Sequence, residues 1–308
     1  MLIISLSGPF AYFYITEQAP ESSNYAYDIH LNFYESELKK NKNPDIVFFG
    51  TSRTMNNIRT DLINQEKING FNTLNLGINW FGLGVQSHLI NRWLAKKQPK
   101  IIVLEVPLLL RYAPHPHFSK LANTSEIVAG LKGAPIYGLK PSAYFSPRML
   151  YQYLASELKF TQYDSYMNRE NYAGFYKIDA TKNELLETEK RMADLLARGQ
   201  KTIAKSAQIK SDIRNNLYAH HNTFLAKIKK DCEINDVKLV LLPLPKLCLQ
   251  KADPYLSDIY NHSKAVMLAP ETLQRADYWR DATHMNLEGS TALTAWLMAE
   301  LNKIINPK

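Results

Sequence analysis

The sequence contains little cysteine, which excludes several narrow classes of protein. Its 308 residues include two cysteines, Cys232 and Cys248, too few for a disulfide-rich secreted scaffold. Their spacing fits no zinc motif, and either one disulfide or two buried thiols is compatible with it. His115 and His117 also lack carboxylate or cysteine partners at metal-ligand spacing. We therefore expect no metal and no other cofactor.

The sequence also lacks an apolar run long enough to cross a membrane unaided. The uncharged, largely apolar stretch from Leu2 to Ile15 is shorter than the roughly 20 residues that a bilayer requires. One interpretation is that residues 1–18 are part of a single-pass N-terminal membrane anchor, since the aromatic residues Tyr12–Tyr14 suit a membrane interface. The other is a buried first segment of the domain. Under the first interpretation, residues 19–308 form one domain outside the cytoplasm.

Acidic residues are the scarcer charged class, and the net charge is +8. The basic excess is concentrated between Lys177 and Lys230, where basic residues outnumber acidic ones two to one. This segment is either a solvated helical surface or a surface that attracts anionic lipid headgroups or an anionic glycan. The sequence contains no recognisable nucleic-acid-binding module, so we expect no nucleic-acid partner.

Three apolar segments in the first third of the chain predict an α/β fold. Asp45–Gly50, Thr73–Leu76 and Ile101–Val106 have the short apolar or β-branched pattern of buried strands. The segment Gln86–Ala95 carries its apolar residues at helical spacing. The succession of strand, helix and strand predicts a parallel sheet with helices on its faces.

The remainder of the chain continues this pattern after an interruption. We expect a largely helical insertion at about residues 110–230, ending in a helix over Ser211–Asp231. A further strand is predicted at Val237–Leu242, and one more short strand at residues 266–268. The apolar spacing from Leu287 to Ile305 predicts a final helix.

Ser52 lies two residues beyond the first predicted strand. In an open parallel sheet, ligands bind beyond the carboxyl ends of the strands. A serine at this place is a candidate nucleophile, and helix N–H groups following it would favour developing negative charge. A serine in a tight turn or at a helix cap is the alternative.

Asp281 and His284 lie together just before the last predicted helix. The carboxylate can accept the imidazole N–H and fix the ring tautomer, which leaves the second ring nitrogen to take a serine proton. The alternatives are a turn aspartate and a surface histidine, with Asn286 as the helix N-cap. Together with Ser52, the two residues supply the nucleophile, base and acid of a hydrolytic or acyl-transfer site.

With these blocks the chain resembles the SGNH, or GDSL-like, hydrolase superfamily. Gly50-Thr51-Ser52 is similar to its first block, Asn75-Leu76-Gly77 to its second, and Asp281-Ala282-Thr283-His284 to its last. The resemblance implies a three-layer, flavodoxin-like parallel sheet. It also implies that Ser52 is the nucleophile, His284 the base and Asp281 the residue that orients the base.

The oxyanion hole implied by this resemblance consists of the backbone N–H groups of Ser52 and Gly77, completed by a side-chain amide. The third family block normally supplies an Asn after strand three, but here the sequence reads Leu104-Glu105-Val106-Pro107. Asn79 is the candidate substitute. Arg53 either pairs with an anionic substrate or forms a salt bridge within the fold.

The Gly-Thr-Ser-Arg form, the altered third block and the N-terminal segment resemble membrane-anchored acyl-transfer proteins of cell-envelope polymers. Examples are the D-alanyl transfer protein of teichoic acid synthesis and the alginate O-acetyltransferases. The resemblance implies an extracytoplasmic serine O-acyltransferase, most simply for acetyl, that acts on a polysaccharide or related envelope polymer. A membrane-bound O-acyltransferase is the implied partner. An esterase of the same fold and a non-catalytic accessory subunit are the alternatives.

Overall fold

The computed structural model describes residues 29–66, 70–78, 82–107, 211–247 and 266–306, with a few positions between 193 and 204. The N-terminal segment 1–18, Asn79, Cys248 and most of the predicted insertion lie outside these residues. None of the helices in the described part is long and apolar enough to cross a membrane.

The described residues form an α/β fold around a four-stranded, all-parallel sheet, which confirms the predicted α/β class and parallel sheet. The strands are β1 Ile46–Gly50, β2 Thr73–Gly77, β3 Ile101–Val106 and β4 Lys238–Pro243. Their order across the sheet is β2-β1-β3-β4. The register pairs Gly50 with Gly77 on one side of β1 and Phe49 with Leu104 on the other.

The central strands are apolar throughout because both faces of the sheet are covered. Side chains alternate between the faces of a strand, so Val47 and Phe49 join one core cluster while Ile46 and Phe48 join the other. Burying apolar surface on both faces contributes roughly 25 cal/mol for each Å² removed from water. The two clusters make the fold three layers deep.

Helices from different parts of the chain cover each face. They are α1 Ile29–Lys39, α2 Ser52–Asn57, α3 Thr60–Glu66, α4 Leu83–Leu94, α5 Ser211–Ile234 and α6 Leu287–Ile305. Residues of α1, α4 and α5 pack with Val47 and Phe49. Residues of α3 and α6 pack on the opposite face. Two short 3-10 helices, Glu271–Gln274 and Ala276–Tyr278, precede α6.

The structure refines several sequence-based boundaries. Helix α4 begins at Leu83, three residues before the predicted start, and β4 includes Pro243 as its last residue. Val266 pairs with Leu241 in one isolated parallel bridge, so the structure has a single bridge where a short strand was predicted over residues 266–268. The final helix has its predicted bounds, and α5 extends to Ile234.

Helix α5 also bears on the predicted insertion. Its residues Phe224, Leu225 and Ile228 are buried in the core cluster that contains Phe49 and Trp93. The end of α5, which connects to β4 in the chain, is therefore part of the helical layer that covers the sheet. The predicted insertion, which ran to about residue 230, included these residues. The rest of that segment is mainly outside the described residues.

The strand order places one position of the sheet at a topological switch. After β1 the chain continues to β2 on one side and then crosses to β3 on the other. Ligands of doubly wound sheets bind beyond the carboxyl ends of the strands at such a switch point. Ser52 follows β1 there, which makes the β1–α2 junction the first place to look for a functional site.

Candidate active site

The nucleophile candidate Ser52 is the first residue of α2, directly after a capped turn. Thr51 is the N-cap, and its side-chain oxygen accepts a hydrogen bond of 3.1 Å from Arg53 N–H. Met55 N–H donates to Thr51 C=O at 3.0 Å. Such caps satisfy N–H groups that a helix start leaves without intrahelical acceptors. The turn thus fixes the backbone on both sides of Ser52.

The base candidate lies on a loop that is closed by its own backbone. Arg280 N–H donates to His284 C=O at 3.0 Å, and Trp279 pairs with Met285 in an antiparallel bridge. Trp279 is fully buried, and this anchors the loop in the core. Asn286 then caps α6 by accepting from Gly289 N–H at 2.9 Å, so its predicted capping role is confirmed.

The structure brings Ser52, His284 and Asp281 into one hydrogen-bonded chain. Ser52 Oγ lies 2.9 Å from His284 Nε2, and His284 Nδ1 lies 2.8 Å from Asp281 Oδ2. An ionised carboxylate can only accept, so Nδ1 carries the ring proton and Nε2 is left to accept from the Ser52 hydroxyl. Residues separated by more than 220 positions thereby form the arrangement of nucleophile, base and orienting acid.

Asp281 is held in its ionised form by its surroundings. Partial burial opposes ionisation, but the hydrogen bond and electrostatic attraction of the His284 ring and the N–H groups of Thr283 and His284 outweigh it, so the pKa of Asp281 lies well below its usual value. Both N–H groups donate to Oδ1 at 2.8 Å, and the Thr283 hydroxyl donates to it at 2.9 Å. One carboxylate oxygen is thus fixed by the loop while the other orients the imidazole.

Asn57, the last residue of α2, joins the base loop to the nucleophile helix. Its Oδ1 accepts from Met285 N–H at 3.0 Å, and its Nδ2 donates to Thr283 C=O at 3.4 Å. The residue is completely buried. Its amide therefore holds together the two segments that carry Ser52 and His284.

Glu105, near the end of β3, accepts hydrogen bonds from the turn that contains Ser52. Its carboxylate accepts from Thr51 N–H at 2.7 Å, from the Thr54 hydroxyl at 2.6 Å and from the Arg53 guanidinium. Burial raises the pKa of this carboxyl, but Arg53 and the hydrogen bonds of Thr51 and Thr54 outweigh burial, so the net pKa is lowered. A fully buried carboxylate is thus kept charged by the chain segment on either side of Ser52.

Gly50 makes this approach sterically feasible. A Cβ added there would lie 2.6 Å from Glu105 Cβ and only 1.9 Å from Thr54 Oγ1. Both distances are far shorter than an ordinary van der Waals contact, so a larger residue at position 50 would displace the turn. The Gly-Thr-Ser-Arg segment therefore begins with glycine because Glu105 and Thr54 fill the space that a side chain would occupy.

The structure describes two of the three predicted oxyanion-hole residues, Ser52 and Gly77. Among the backbone N–H groups of residues 51–55, that of Ser52 alone has no acceptor within the described part of the chain. It is available to stabilise negative charge beside the Ser52 hydroxyl. Asn79, the candidate side-chain donor, lies outside the described residues.

The predicted oxyanion donor Gly77 has its N–H engaged within the fold. Its N–H donates to Asn75 Oδ1 at 3.0 Å, so that hydrogen bond must be lost before the group can serve a ligand. A Cβ at Gly77 would lie 2.7 Å from Met55 N and 2.9 Å from Thr51 O. In this structure the glycine lets α2 pack closely against β2.

Arg53 follows the second of its two predicted alternatives. Its side chain is 7% exposed and pairs with Glu105. It also donates to Leu244 C=O at 3.0 Å. A guanidinium with buried partners inside the fold is not available as a surface anchor for an anionic substrate.

Nothing in the described ranges indicates an inorganic cofactor site. No group of three or more His, Cys, Asp or Glu side chains there could hold a metal ion. Cys232 is a buried free thiol. Burial, with the charges of Asp231 and Glu233, raises its pKa to about 12, so it is protonated and a poor nucleophile near neutral pH.

Two polar residues of the site, Asn57 and Glu105, escaped sequence reasoning. For Glu105 there was a usable signal, because it is a single charged residue in the otherwise apolar strand Ile101–Val106. A carboxylate in a buried strand requires a partner, and Arg53 follows the neighbouring strand. Asn57 gave no such signal, since its partners Thr283 and Met285 lie at the other end of the chain.

Neither a model of a known protein family nor a curated protein matches this sequence.

Proposed function

We propose that this protein is a serine acyltransferase that forms an acyl-enzyme on Ser52. The observation that carries the proposal is the unbroken chain from Ser52 Oγ through His284 to Asp281, with distances of 2.9 and 2.8 Å. These lengths are within the range over which a base accepts a proton from a nucleophile. The Ser52 N–H, which has no acceptor among the described residues, adds a donor for the developing oxyanion.

In the first step, Ser52 Oγ attacks the carbonyl carbon of an acyl donor while its proton moves to His284 Nε2. The ionised Asp281 stabilises the imidazolium that results. The donor's leaving group departs with the proton from His284, and the acyl group remains as an ester on Ser52. The Ser52 N–H assists this step, and a missing oxyanion-hole donor costs about 3 kcal/mol of transition-state stabilisation.

In the second step, an acceptor hydroxyl gives its proton to His284 Nε2 and attacks the acyl-enzyme. The proton then returns to Ser52 Oγ as the acylated acceptor leaves. Water in place of the acceptor gives hydrolysis by the same steps. Transfer therefore requires that the bound acceptor react faster than water does.

We place the protein in the SGNH superfamily on its blocks and their positions. The Gly-Thr-Ser block follows β1, the Asn-Leu-Gly block ends β2 and the Asp-x-x-His block precedes the last helix. The strand order β2-β1-β3-β4 is the start of the flavodoxin-like order 2-1-3-4-5. We further propose that residues 1–18 form an anchor separate from a single domain over residues 19–308. In this proposal the chain between β3 and β4 carries a helical insertion.

The acceptor we propose is a hydroxyl of a cell-envelope polysaccharide or related polymer, and the acyl group is most simply acetyl. Two features support a specialised acceptor over generic ester hydrolysis. The third block lacks its oxyanion Asn, and the Gly77 N–H is already bonded to Asn75. An active site with fewer fixed donors depends more on binding its own substrate.

The proposed location is the outer face of a cell membrane. Residues 1–18 would supply the single-pass anchor, and the acyl group would come from a membrane-bound O-acyltransferase beside it. A multispanning partner of this kind explains how an activated acyl group reaches a site outside the cytoplasm. This part of the proposal follows from the resemblance of Gly50–Arg53 to envelope acyl-transfer proteins.

Turnover of an activated acetyl ester tests the serine mechanism. The full-length protein should release acetate or transfer it, and Ser52→Ala and His284→Ala should each reduce the rate by about 10⁴-fold or more. Equal turnover by all three proteins would refute the mechanism and favour a non-catalytic accessory role.

Adding a glycan acceptor distinguishes a transferase from an esterase. An O-acetylated glycan whose yield rises with glycan concentration, at the expense of free acetate, is the expected result. Acetate release that the glycan does not change would instead favour the esterase alternative.

A further inference from the structure

Glu105 is the only charged residue of β3 and lies beside the end of β1. Phe49 pairs with Leu104, so the next positions of the two strands, Gly50 and Glu105, are neighbours at the carboxyl edge of the sheet. Its side chain is entirely buried. Apolar burial cannot explain a charged residue at this position.

The donors around Glu105 come from one short segment. Thr51 supplies its N–H and hydroxyl, Thr54 supplies the same two groups, and Arg53 supplies its guanidinium. Both carboxylate oxygens are engaged, Oε2 by the two threonines and Oε1 by Arg53 and Thr51. Glu105 is therefore bound by the turn after β1.

Ser52 is the residue of this turn that makes no hydrogen bond to Glu105. The residues on either side of it, Thr51 and Arg53, bond to the carboxylate, while Ser52 Oγ meets His284 Nε2 at 2.9 Å. The same pattern occupies the N–H groups of Thr51 and Thr54 and leaves that of Ser52 without an acceptor in the described residues. One buried anion thus determines both where the hydroxyl lies and which N–H group remains open.

We propose that Glu105 is a positioning residue whose buried carboxylate holds the Thr51–Thr54 turn so that Ser52 presents its hydroxyl to His284 and its N–H to the oxyanion. The proposal rests on Ser52 being the nucleophile. It assigns Glu105 no contact with substrate. The proposal also explains why the third block contains a charged residue, although Glu105 does not act as the oxyanion donor that the missing Asn would be.

The test is the rate at which Ser52 becomes acetylated by an activated acetyl ester, measured by rapid quench and intact-protein mass. Glu105→Gln keeps the size of the side chain, but its amide cannot accept at both ends and turns a donor towards other donors. We expect acylation about 100-fold slower with KM nearly unchanged, since Glu105 does not touch substrate. Thr54→Val, which removes one hydroxyl donor to Oε2, should give a smaller loss of the same kind.

Ile228→Ala is the matched control for lowered stability. Ile228 is fully buried in α5 and contacts the core on the other face of the sheet, so this variant should melt earlier yet acylate at the wild-type rate. Glu105→Asp retains the negative charge and should recover part of the rate that Glu105→Gln loses. Where Glu105→Gln fails to fold, the comparison of Thr54→Val with Ile228→Ala decides the question.

The outcomes separate the two proposals. The positioning role alone would be overturned if the wild type acetylates Ser52 and Glu105→Gln and Thr54→Val do so at the same rate. The same conclusion would follow if these two variants are no slower than Ile228→Ala. Wild type that never acetylates Ser52 would overturn the proposed function and the positioning role with it.

Discussion

The two halves of the candidate site are held by different kinds of contact. The nucleophile half, Gly50–Asn57, is mostly buried and is bound to a buried carboxylate from another strand. The base half, Asp281–His284, is partly exposed and is closed mainly by hydrogen bonds within its own loop. The nucleophile therefore depends on tertiary packing, whereas the base depends mainly on local sequence, with links to the rest of the fold through Asn57 and through the hydrogen bond from Leu247 N–H to Ala282 C=O.

This difference predicts how substitutions divide between stability and rate. Changes around Ser52 should lower the free energy of unfolding and the rate together, since the same buried bonds serve both. Changes in the base loop should lower the rate with little effect on unfolding, because the loop is half-exposed and bonded to itself. Four substitutions test this contrast.

Asp281→Asn should have the largest effect on rate and a small effect on stability. The Asn carbonyl can keep the N–H groups of Thr283 and His284, but its NH₂ faces His284 Nδ1 and forces the other ring tautomer. We expect acetyl-ester turnover to fall by about 10⁴-fold, measured beside the melting temperature. Turnover within tenfold of wild type would show that Asp281 does not orient the base.

Glu105→Gln should have the largest effect on stability. Removing one partner of a buried ion pair costs about 3–5 kcal/mol, measured as unfolding in urea at pH 7. The exposed Glu66 provides the control Glu66→Gln, which should change the free energy of unfolding by less than about 0.5 kcal/mol.

The same pair of variants predicts a pH dependence. The pKa of Glu105 is lowered in the folded protein, so its carboxylate stabilises the fold above the unfolded value of about 4.3 and this contribution is lost as pH falls below it. The stability gap between wild type and Glu105→Gln should narrow by about 1.4 kcal/mol for each pH unit below that value. A gap that stays constant down to pH 3 would contradict the buried charge.

Asn57→Ala should have an intermediate effect on rate. It leaves the buried Met285 N–H without an acceptor, which costs about 1–3 kcal/mol, and it frees the base loop from α2. Asn64 is a matched control, because its side chain also bonds to backbone, at Thr73 N and Thr73 O, but touches neither half of the site.

The two variants, Asn57→Ala and Asn64→Ala, should lose similar amounts of stability but different amounts of catalytic rate. We expect Asn57→Ala to slow acylation at least tenfold and Asn64→Ala to leave it near the wild-type value, at similar melting temperatures. Equal rates in the two variants would mean that the link between the halves is not needed for catalysis.

Arg280→Gln should have the smallest effect. Its guanidinium lies 3.6 Å from Asp281 Oδ2 and the pair is partly exposed, an arrangement that contributes about 0–1 kcal/mol. We expect at most a fivefold change in turnover at moderate ionic strength. A larger loss would show that Arg280 contacts substrate or controls the Asp281 carboxylate.

The sequence predicted those parts of the fold that have strong local patterns. The apolar strands β1 and β3 and the helix α6 were found within about one residue, because both faces of each strand and one face of the helix are buried. A helix after Ser52 was considered, but the bounds of α2 were not predicted, since its six residues are largely polar and it is held by the Thr51 cap and by contacts with β2. Helix α1 was also missed; between Phe33 and Lys39 only Tyr34 and Leu38 are buried.

The sequence predicted those residues of the candidate site that can be identified from their reactive side chains and not from their packing. Ser52, Asp281 and His284 were recognised from their types and their places relative to strands and helices. Arg53 could not be assigned, because its carboxylate partner lies 52 positions away and only the sheet makes them neighbours. The sequence likewise does not show that Asn75 accepts a hydrogen bond from Gly77 N–H.

The most direct test of the serine mechanism is to trap the acyl-enzyme. The full-length protein is mixed with an activated acetyl ester, quenched in acid within milliseconds to seconds, digested and mapped by mass spectrometry. We predict one acetyl group on the peptide that contains Ser52, its appearance slowed in His284→Ala and abolished in Ser52→Ala. Acetylation that is absent, or that persists unchanged in Ser52→Ala, would contradict the assignment of Ser52 as the nucleophile.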